Sequence, residues 1–243
     1  MIPHAENNRT DQNIQTELEN FMAETENDEI ERQEPAVAEI VGKAIFSQKY
    51  DEYAFFYQSA IRQLTTKLQI VSADFSRNND RSPIESITSR VKSLESIAAK
   101  MEHKGLELNL DNMISNINDT AGIRVICPFL KDVYEVADML LKQKDVELIK
   151  IKDYIKNPKK SGYRSLHLIV KTSVLFSDGI REIPVEIQIR TIAQNFFAST
   201  DHQIRYKRQS KITPEIHKKM LECAELMANA DEQMQKLAEK VEI

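Results

Sequence analysis

From Ile183 to Arg190 every odd position is apolar, and this alternation constrains the fold more than any other segment of the chain. Successive side chains of a β-strand point to opposite faces of its sheet. The segment therefore predicts a strand with one face in the core, while the other face holds Glu186, Gln188 and Arg190. An exposed edge strand fits the same alternation, so this segment alone leaves its place in the sheet open.

Further segments predict strands and helices around this one. Strands are expected over residues 87–92, 123–127, 146–151 and 166–174, the second and third of them in the core. A turn at Asp178-Gly179 should join the last of these to the alternating strand as a hairpin. Ser93 is expected to cap a helix that ends at Gly105. Other helices are expected over residues 45–75, 132–143, 191–208 and 214–243. The prediction is an α+β domain with a mixed sheet of about five strands flanked by helices.

The charge of the chain is unevenly distributed. Residues 1–45 hold eleven acids and three bases, a net charge of −8, so the remaining residues carry +3 of the total of −5. A weakly basic body suits a small, phosphate-rich ligand and argues against nucleic acid as the partner. We expect residues 1–40 to be an acidic, disordered tail, residues 41–210 to be the functional domain, and residues 211–243 to be a C-terminal helical extension.

No apolar run approaches the length of about 18 residues that a membrane span needs. The N-terminus also lacks the pattern of a signal peptide. Cys127 and Cys223 lie in apolar patterns without metal-ligand spacing, so we expect both to be reduced core thiols of a cytoplasmic protein with no membrane partner.

Residues 90–100 predict a site for a polyphosphate. Arg90 and Lys92 are two apart on a predicted strand, and Ser96 and Lys100 are four apart on the following helix. Each pair shares one side of its element, and the free N–H groups of a helix N-terminus also attract anions. The same residues also fit the solvated face of an amphipathic helix.

Two carboxylates predict a metal site. Asp119 precedes a segment that we expect to be a glycine-containing loop, and Arg124 follows on an otherwise apolar strand that should expose it to a cleft. If Asp119 and Glu186 come together, they form the kind of oxygen site that Mg²⁺ prefers when it binds phosphates.

A lysine-rich segment leads to an aromatic residue and predicts a second nucleotide site. Lys156, Lys159 and Lys160 lie in a segment with Pro158, Ser161 and Gly162, which we expect to be a loop, and Tyr163 should begin the next strand with His167 on the same side. Bases stack on aromatic rings, and lysines bind phosphates. Tyr163 also fits a strand residue that packs on its neighbours, and His167 also fits a structural histidine.

In this order, the segments 90–100, 119–124, 159–167 and 186–190 resemble the synthetase domain of the RelA/SpoT superfamily in its small, single-domain form. The resemblance implies a nucleotidyltransferase-like fold and transfer of pyrophosphate from ATP to the 3′-hydroxyl of GTP or GDP. The products, pppGpp and ppGpp, serve the stringent response. No His-Asp metal motif precedes Arg90, so the resemblance implies synthesis without hydrolysis.

The resemblance also implies a role for each site residue. Arg90 would lie beside the adenine of ATP, with Asp119 as ligand of Mg²⁺ and Glu186 sharing the metal or activating the attacking hydroxyl. Tyr163 would stack on guanine. The remaining residues implied for ATP are Lys92, Ser96, Lys100 and Arg124, and those implied for the guanine nucleotide are Lys159, Ser161, His167 and Gln188.

Several positions depart from the family pattern. Asp201-His202 replaces a Glu-His pair, Phe197 often is Trp in the family, and Ser161 often is Asn. These departures leave the choice between GTP and GDP open. Product-activated members tend to have Phe and Thr where this chain has Ser86 and Thr88, so half of that signature is missing.

Two alternatives remain from the sequence. One is a toxic relative that pyrophosphorylates tRNA or adenine nucleotides, although this would need a broader basic surface. The other is an inactive nucleotide- or RNA-binding module, which would have no need for both carboxylates. A helical apolar stripe in the last 30 residues fits packing on the chain's own domain, and together with the resemblance it predicts a homotetramer. Its members are Met220, Ala224, Met227, Met234, Leu237 and Val241.

Overall fold

The computed structural model describes residues 46–205 and 212–242. The predicted tail, residues 1–40, lies outside the described residues. The compact unit Tyr50–Ile243 contains the sheet and all the predicted site residues.

Five strands form one mixed sheet in the order β1-β2-β5-β4-β3. The strands are β1 (Ser86–Val91), β2 (Ala121–Cys127), β3 (Val146–Asp153), β4 (Leu166–Phe176) and β5 (Gly179–Thr191). Strands β2 and β5 run parallel, and the other neighbouring pairs are antiparallel. The predicted α+β class, the number of strands and the β4–β5 hairpin are confirmed.

The helices cover nearly all the segments in which they were predicted. They are α1 (residues 46–79), α2 (Leu94–His103), α3 (Leu110–Asn116), α4 (Leu130–Leu141), α5 (Ile192–Arg205) and α6 (Pro214–Lys240). Ser93 caps α2 as predicted, because its side chain accepts a hydrogen bond from the Ser96 N–H, and Gly105 follows the helix with a φ of +66°. Helix α3 was not predicted, since it is short and its sequence lacks a long apolar repeat. Within the described ranges, no helix is long and apolar enough to cross a membrane.

The alternating strand, β5, lies in the middle of the sheet, so the edge interpretation is wrong. It pairs with β2 on one side and with β4 on the other. Val185, Ile187 and Ile189 are completely buried, and helices α4 and α5 contact the strand. The core therefore fixes one face of β5 and leaves Glu186 and Gln188 on the opposite face.

The prediction that residues 146–151 form a strand in the core is wrong, because β3 is an edge strand. It lies at the edge of the sheet, and Leu148, Ile149 and Ile151 are 39–49% exposed. The register shifts between Leu148 and Lys150, which interrupts the alternation along the strand. Apolar residues in a short run do not distinguish an edge from the core, because both positions favour the same residue types.

Helix α6 packs on α5 and α4 through only part of the predicted apolar stripe. The buried line follows steps of seven residues through Ala224, Asp231 and Ala238, whereas Met234 and Leu237 are more than half exposed. The predicted stripe is therefore split between the interior and the surface. Cys223 also lies on the exposed side of this helix, so only Cys127 is the core thiol that we expected.

A buried carboxyl joins α6 to the end of β5. The Thr191 hydroxyl donates a 2.6 Å hydrogen bond to Asp231, which is 7% exposed. Burial raises the pKa of Asp231 to about 6, although the bond from Thr191 and the charge of Arg164 act in the opposite direction. Folding therefore favours the protonated carboxyl relative to the unfolded chain, and in the folded protein this form predominates below about pH 6.

We expect Asp231→Asn to remove a pH dependence of stability. A carboxyl pKa raised to about 6 contributes stability that is complete below about pH 4 and is lost as the pH rises through about 6. The amide is neutral and keeps an oxygen for the Thr191 bond. Above pH 6 the variant should be more stable than wild type by on the order of 2–3 kcal/mol.

Urea unfolding at a series of pH values measures this difference. Glu232→Gln, at the exposed neighbouring position of the same helix, is the matched control and should follow the wild type. If the free energy of unfolding of Asp231→Asn changes with pH in the same way as that of the wild type, the Asp231 carboxyl is not the source of the pH dependence.

Candidate active site

The register of four strands, β1, β2, β5 and β4, brings the predicted site residues into rows across the sheet. Arg90 pairs with Gly122, which pairs with Glu186. In the next row Arg124 pairs with Gln188, and Gln188 pairs with His167 on β4. Cross-strand partners point to the same face of a sheet, so these side chains converge. Gly122 lies within β2 and not in a loop as predicted.

A cavity of about 220 Å³ lies over these rows. Arg90, Lys92, Asp119, Arg124, Glu186 and Gln188, all predicted site residues, contribute to its lining. Gly122 has no side chain to fill the space between Arg90 and Glu186, and it also lines the cavity. Residues of the β1–α2 junction and the two carboxylates, Asp119 and Glu186, thus line the same cavity.

Asp119 is held by two lysines. Lys92 and Lys100 both donate to its Oδ2, the latter at 2.6 Å. Its Oδ1 is buried and has no hydrogen-bond partner among the described residues. Burial acts to raise the pKa of Asp119, but the hydrogen bonds from Lys100 and Lys92 outweigh it and hold the pKa below its usual value. Asp119 is therefore an ionised carboxylate with one oxygen available.

Glu186 is also kept ionised by its neighbours. His167 Nδ1 lies 3.2 Å from Oε1, and the Gln188 amide donates to Oε2 at 2.8 Å. Burial acts to raise the pKa of Glu186, yet the hydrogen bonds from His167 and Gln188 bring it below the ordinary value. Each oxygen keeps further acceptor capacity, because a carboxylate has about four lone-pair positions.

The hydrogen bonds around Glu186 form a closed ring in which two branches start at Arg190 and end at Glu186. Arg190 Nη2 donates to the Tyr163 hydroxyl at 2.6 Å and to Gln188 Oε1 at 2.8 Å. The Tyr163 hydroxyl lies 2.8 Å from His167 Nε2. Because Glu186 can only accept, Nδ1 of His167 donates to it, and Nε2 then accepts from Tyr163 whenever the imidazole is neutral. The ring therefore ties an aromatic residue to the carboxylate.

The cavity concentrates positive charge without enough acids to balance it. Burial lowers the pKa of Arg124, and the nearby charges of Arg190 and Arg90 lower it further. The Nε of Arg124 is buried and has no hydrogen-bond partner among the described residues. Cations that repel one another in a partly dry space favour a multiply charged anion as ligand.

The segment between β3 and β4, which contains Lys156, Lys159 and Lys160, is here called the lysine loop. Tyr163 follows these lysines as predicted, but it lies in the loop and not on β4. The Nζ of Lys159 lies 4.7 Å from the ring centroid of Tyr154 and 5.0 Å from that of Tyr163. Tyr154 also makes an edge contact with His167, with ring centroids 5.2 Å apart. The aromatic ring of Tyr163 is thus held between cations beside the cavity.

The pair of carboxylates fits a divalent cation. Asp119 and Glu186 line one cavity, both are ionised, and Asp119 Oδ1 is buried without a partner in the described part of the chain. Among the described residues, no group of three or more His, Cys, Asp or Glu side chains could hold a metal. A metal here would therefore depend on these two residues and on oxygens of the ligand, as is common for Mg²⁺.

The structure does not bring all the predicted residues together. Lys100, Tyr163 and His167 lie outside the cavity lining but bond to residues of the cluster or of the ring. Ser96 lies 3.1 Å from the Ser93 hydroxyl at the cap of α2 and does not line the cavity. Ser161 does not line it either.

Two functional residues were missed by sequence reasoning. Arg190 shares the polar face of β5 with Glu186 and Gln188, so the alternation already indicated its side. Tyr154 follows β3 directly and has no comparable signal, because its partners come from the lysine loop and β4.

Comparison with known proteins agrees with this arrangement. A family profile described as "Region found in RelA / SpoT proteins" matches residues 89–211. GTP pyrophosphokinase YwaC of Bacillus subtilis (strain 168) is 40% identical over 186 residues, which are 76% of this chain and 89% of that protein.

Two solved structures are similar over most of the chain. Small alarmone synthetase 1 from Bacillus subtilis, bound to its product pppGpp, has a TM-score of 0.74 at 33% identity, covering 81% of this chain and 100% of that chain. The same synthetase bound to AMPCPP has a TM-score of 0.67 at 29% identity, covering 80% of this chain and 98% of that chain.

Proposed function

We infer that this chain, which belongs to the RelA/SpoT family, is a GTP pyrophosphokinase of the small alarmone synthetase type. It transfers the β,γ-pyrophosphate of ATP to the 3′-hydroxyl of GTP or GDP and makes pppGpp or ppGpp. Similarity over 76% of the chain to a GTP pyrophosphokinase supports this function. The observation that carries it is a single cavity that combines two ionised carboxylates, three cations and a link to Tyr163.

The donor ATP is proposed to lie over β1 and α2. Arg90 would contact the adenine, and Lys92, Ser96, Lys100 and Arg124 would bind the phosphates. The uncompensated charge around Arg124 supports this side of the assignment. Ser96 would act through the N-terminal turn of α2, where free N–H groups attract phosphate.

The acceptor nucleotide is proposed to lie over the lysine loop and β4. Tyr163 would stack on guanine, Lys159 and Ser161 would contact the nucleotide from the loop, and His167 and Gln188 would orient Glu186. The ring of hydrogen bonds supports the roles of His167 and Gln188, because both side chains donate to Glu186. This reassigns His167 from direct nucleotide contact to positioning.

The reaction is an in-line displacement at the β-phosphorus of ATP. A bond forms between the 3′-oxygen of the acceptor and this phosphorus, the bond from the phosphorus to the α,β-bridging oxygen breaks, and AMP leaves. Glu186 is proposed to accept the hydroxyl proton. Mg²⁺ held by Asp119 and Glu186 would supply charge neutralisation at the phosphate oxygens. The cations of the site position both nucleotides and stabilise the charge on the leaving AMP.

Incubation with ATP, Mg²⁺ and each candidate acceptor tests the function directly. Anion-exchange chromatography should resolve pppGpp from GTP and ppGpp from GDP, with AMP formed in equal amount. The same assay with tRNA or with adenine nucleotides as acceptor should yield no product. Transfer to tRNA or to an adenine nucleotide instead would favour the toxic relative, and no transfer to any acceptor would favour an inactive binding module.

Three properties extend the proposal. The product is proposed to serve the stringent response, as the family implies. The free thiols of Cys127 and Cys223 support a cytoplasmic location, where thiols remain reduced. Assembly into a homotetramer is supported by apolar side chains on the outer side of α6, which are Leu226, Met234, Leu237 and Val241.

Loss of either carboxylate should abolish synthesis. We expect Asp119→Ala and Glu186→Gln each to lower kcat at least about a thousandfold, because the transition state loses several kcal/mol of charge stabilisation. Steady-state turnover gives the effect, and circular dichroism shows whether the fold remains. Glu182→Gln is the matched control, since it lies on the same face of β5 and outside the cavity lining. Near-normal turnover in both site variants would refute the assignment.

Substitutions on the two sides should affect different substrates. Tyr163→Ala should raise the KM of the guanine nucleotide about tenfold or more through lost stacking. Lys92→Ala and Lys100→Ala should raise the KM of ATP. Lys104→Ala, one turn further along α2 and bonded to the Asn116 carbonyl, serves as the control for Lys100. A Tyr163 variant with a defect for ATP alone would contradict the two-sided arrangement.

The tetramer proposal predicts a mass of four chains in solution. Light scattering over a dilution series should give about 112 kDa, because one chain has a mass of 28.0 kDa. Leu237→Glu should dissociate the assembly, because it buries a charge in an apolar contact. Glu239→Gln, at an exposed polar position two residues away, should not. A wild-type monomer at micromolar concentration would refute the proposal.

A further inference from the structure

The lysine loop packs so closely against α6 that no space remains for a side chain at Gly162. A Cβ atom added to Gly162 would lie 2.4 Å from the Ala224 Cβ and 3.4 Å from a methyl of Leu221. Gly162 also has a φ of +81°, which side chains rarely adopt. The remaining space, which Phe197 of α5 also lines, is only about 10 Å³. The loop and α6 therefore fit each other only while both residues stay small.

Arg164 forms hydrogen bonds that connect the lysine loop to the same turn of α6. Its Nη1 donates to the Gly162 carbonyl at 3.2 Å and to the Ala224 carbonyl at 3.5 Å, and its Nη2 donates to Glu225 at 2.9 Å. The Arg164 side chain is only 15% exposed, whereas that of Glu225 is 64% exposed. The guanidinium thus bridges the loop backbone and the helix backbone from a protected position.

Gly162 and Arg164 provide the close contacts with α6 at this end of the loop. Further back, a cavity of about 300 Å³ separates Ile155, Lys156 and Pro158 from Asn229 and Glu232 of the helix. The turn itself is short, because Gly162 N–H donates to the Lys159 carbonyl at 2.8 Å and Lys159 N–H donates to the Tyr163 carbonyl at 3.2 Å. A shift of Gly162 must therefore move Lys159 and Tyr163 with it.

We propose that α6 sets the affinity for the acceptor nucleotide by fixing Gly162 and Arg164, and with them the ring of Tyr163. Ala224 and Arg164 are positioning residues for the acceptor, since they act through the loop. Helix α6 begins at Pro214, beyond the region 89–211 that the family profile matches. The inference rests on the proposed function insofar as the acceptor binds at Tyr163.

Enlarging Ala224 tests the inference. Ala224→Leu should push the turn away from α6 and raise the Kd of GTP about tenfold, because the ring that stacks on the base is displaced. The Kd of the ATP analogue AMPCPP should stay within about twofold, because Arg90, Lys92 and Lys100, which are proposed to bind ATP, lie at β1 and α2 and not on this turn. Titration calorimetry of the full chain with each nucleotide gives both constants without turnover.

Matched variants separate positioning from general damage. Cys223→Leu adds similar bulk at the exposed neighbouring position and should leave both Kd values unchanged. Ala224→Gly keeps the space for Gly162 and should also keep the wild-type Kd of GTP. Arg164→Met removes the hydrogen bonds to the loop and to α6 without adding bulk, and it should raise the Kd of GTP. If Ala224→Leu does not fold, the Kd of GTP for Arg164→Met tests the inference.

The outcomes distinguish this inference from the proposed function. If the wild type transfers pyrophosphate and folded Ala224→Leu and Arg164→Met bind GTP normally, the inference is wrong and the function stands. An equal loss of GTP and AMPCPP binding also overturns it, because that result indicates general disruption. If the wild type binds GTP with the expected dependence on Ala224 but yields no pppGpp, the proposed function is wrong and the positioning role remains.

Discussion

The burial of one face of β5 is the constraint on which the rest of the structure depends. Apolar side chains on that face hold the strand between β2 and β4, and α4 and α5 contact it. The opposite face then has to carry Glu186, Gln188 and Arg190, of which Arg190 is itself almost fully buried. Buried polar groups are costly unless each has a partner. The ring through Tyr163 and His167 provides those partners, so the demands of folding and of the site are met by the same hydrogen bonds.

The balance of charge explains why the cavity suits the phosphates of the proposed substrates. Five cations, Arg90, Lys92, Lys100, Arg124 and Arg190, surround two carboxylates, Asp119 and Glu186. Two of the cations are already engaged with Asp119, while Arg124 retains a buried donor without a partner in the described structure. The surplus positive charge favours polyphosphates, and the ionised carboxylates keep the oxygen ligands that a divalent cation requires.

The sequence predicted those parts of the structure that local patterns determine. The alternation in β5, the serine cap of α2 and the β4–β5 turn all depend on residues close together in the chain. The parallel pairing of β2 with β5 does not, and neither does the edge position of β3, because strand order depends on contacts between distant segments. Nor did local patterns determine how α6 divides its apolar stripe between the interior, which holds Ala224, and the surface, which holds Met234.

In the candidate site, too, local patterns predicted some features, whereas contacts between distant segments determined the others. The residue types and the polar face of β5 indicated Asp119, Glu186 and Tyr163, whose roles remain proposals. The direction of donation around Glu186 could not be predicted, because it depends on Arg190 reaching a loop residue. The fit of Gly162 against Ala224 could not be predicted either, since it joins residues 62 positions apart.

The proposed site consists of two halves, each contiguous in the chain, with the β2–β5 ladder between them. The proposed donor half lies within β1, α2 and β2, and the proposed acceptor half lies within the lysine loop and the β4–β5 hairpin. Within the first half the β1–β2 ladder pairs Arg90 with Gly122 across 32 residues, whereas the β2–β5 ladder between the halves pairs Gly122 with Glu186 across 64 residues. Closing so long a segment is entropically costly and is a slow step for a folding chain. Asp119 and Glu186 therefore meet only when this ladder closes, so a nucleotide that bridges the halves binds the native chain alone and shifts the folding equilibrium towards it by mass action.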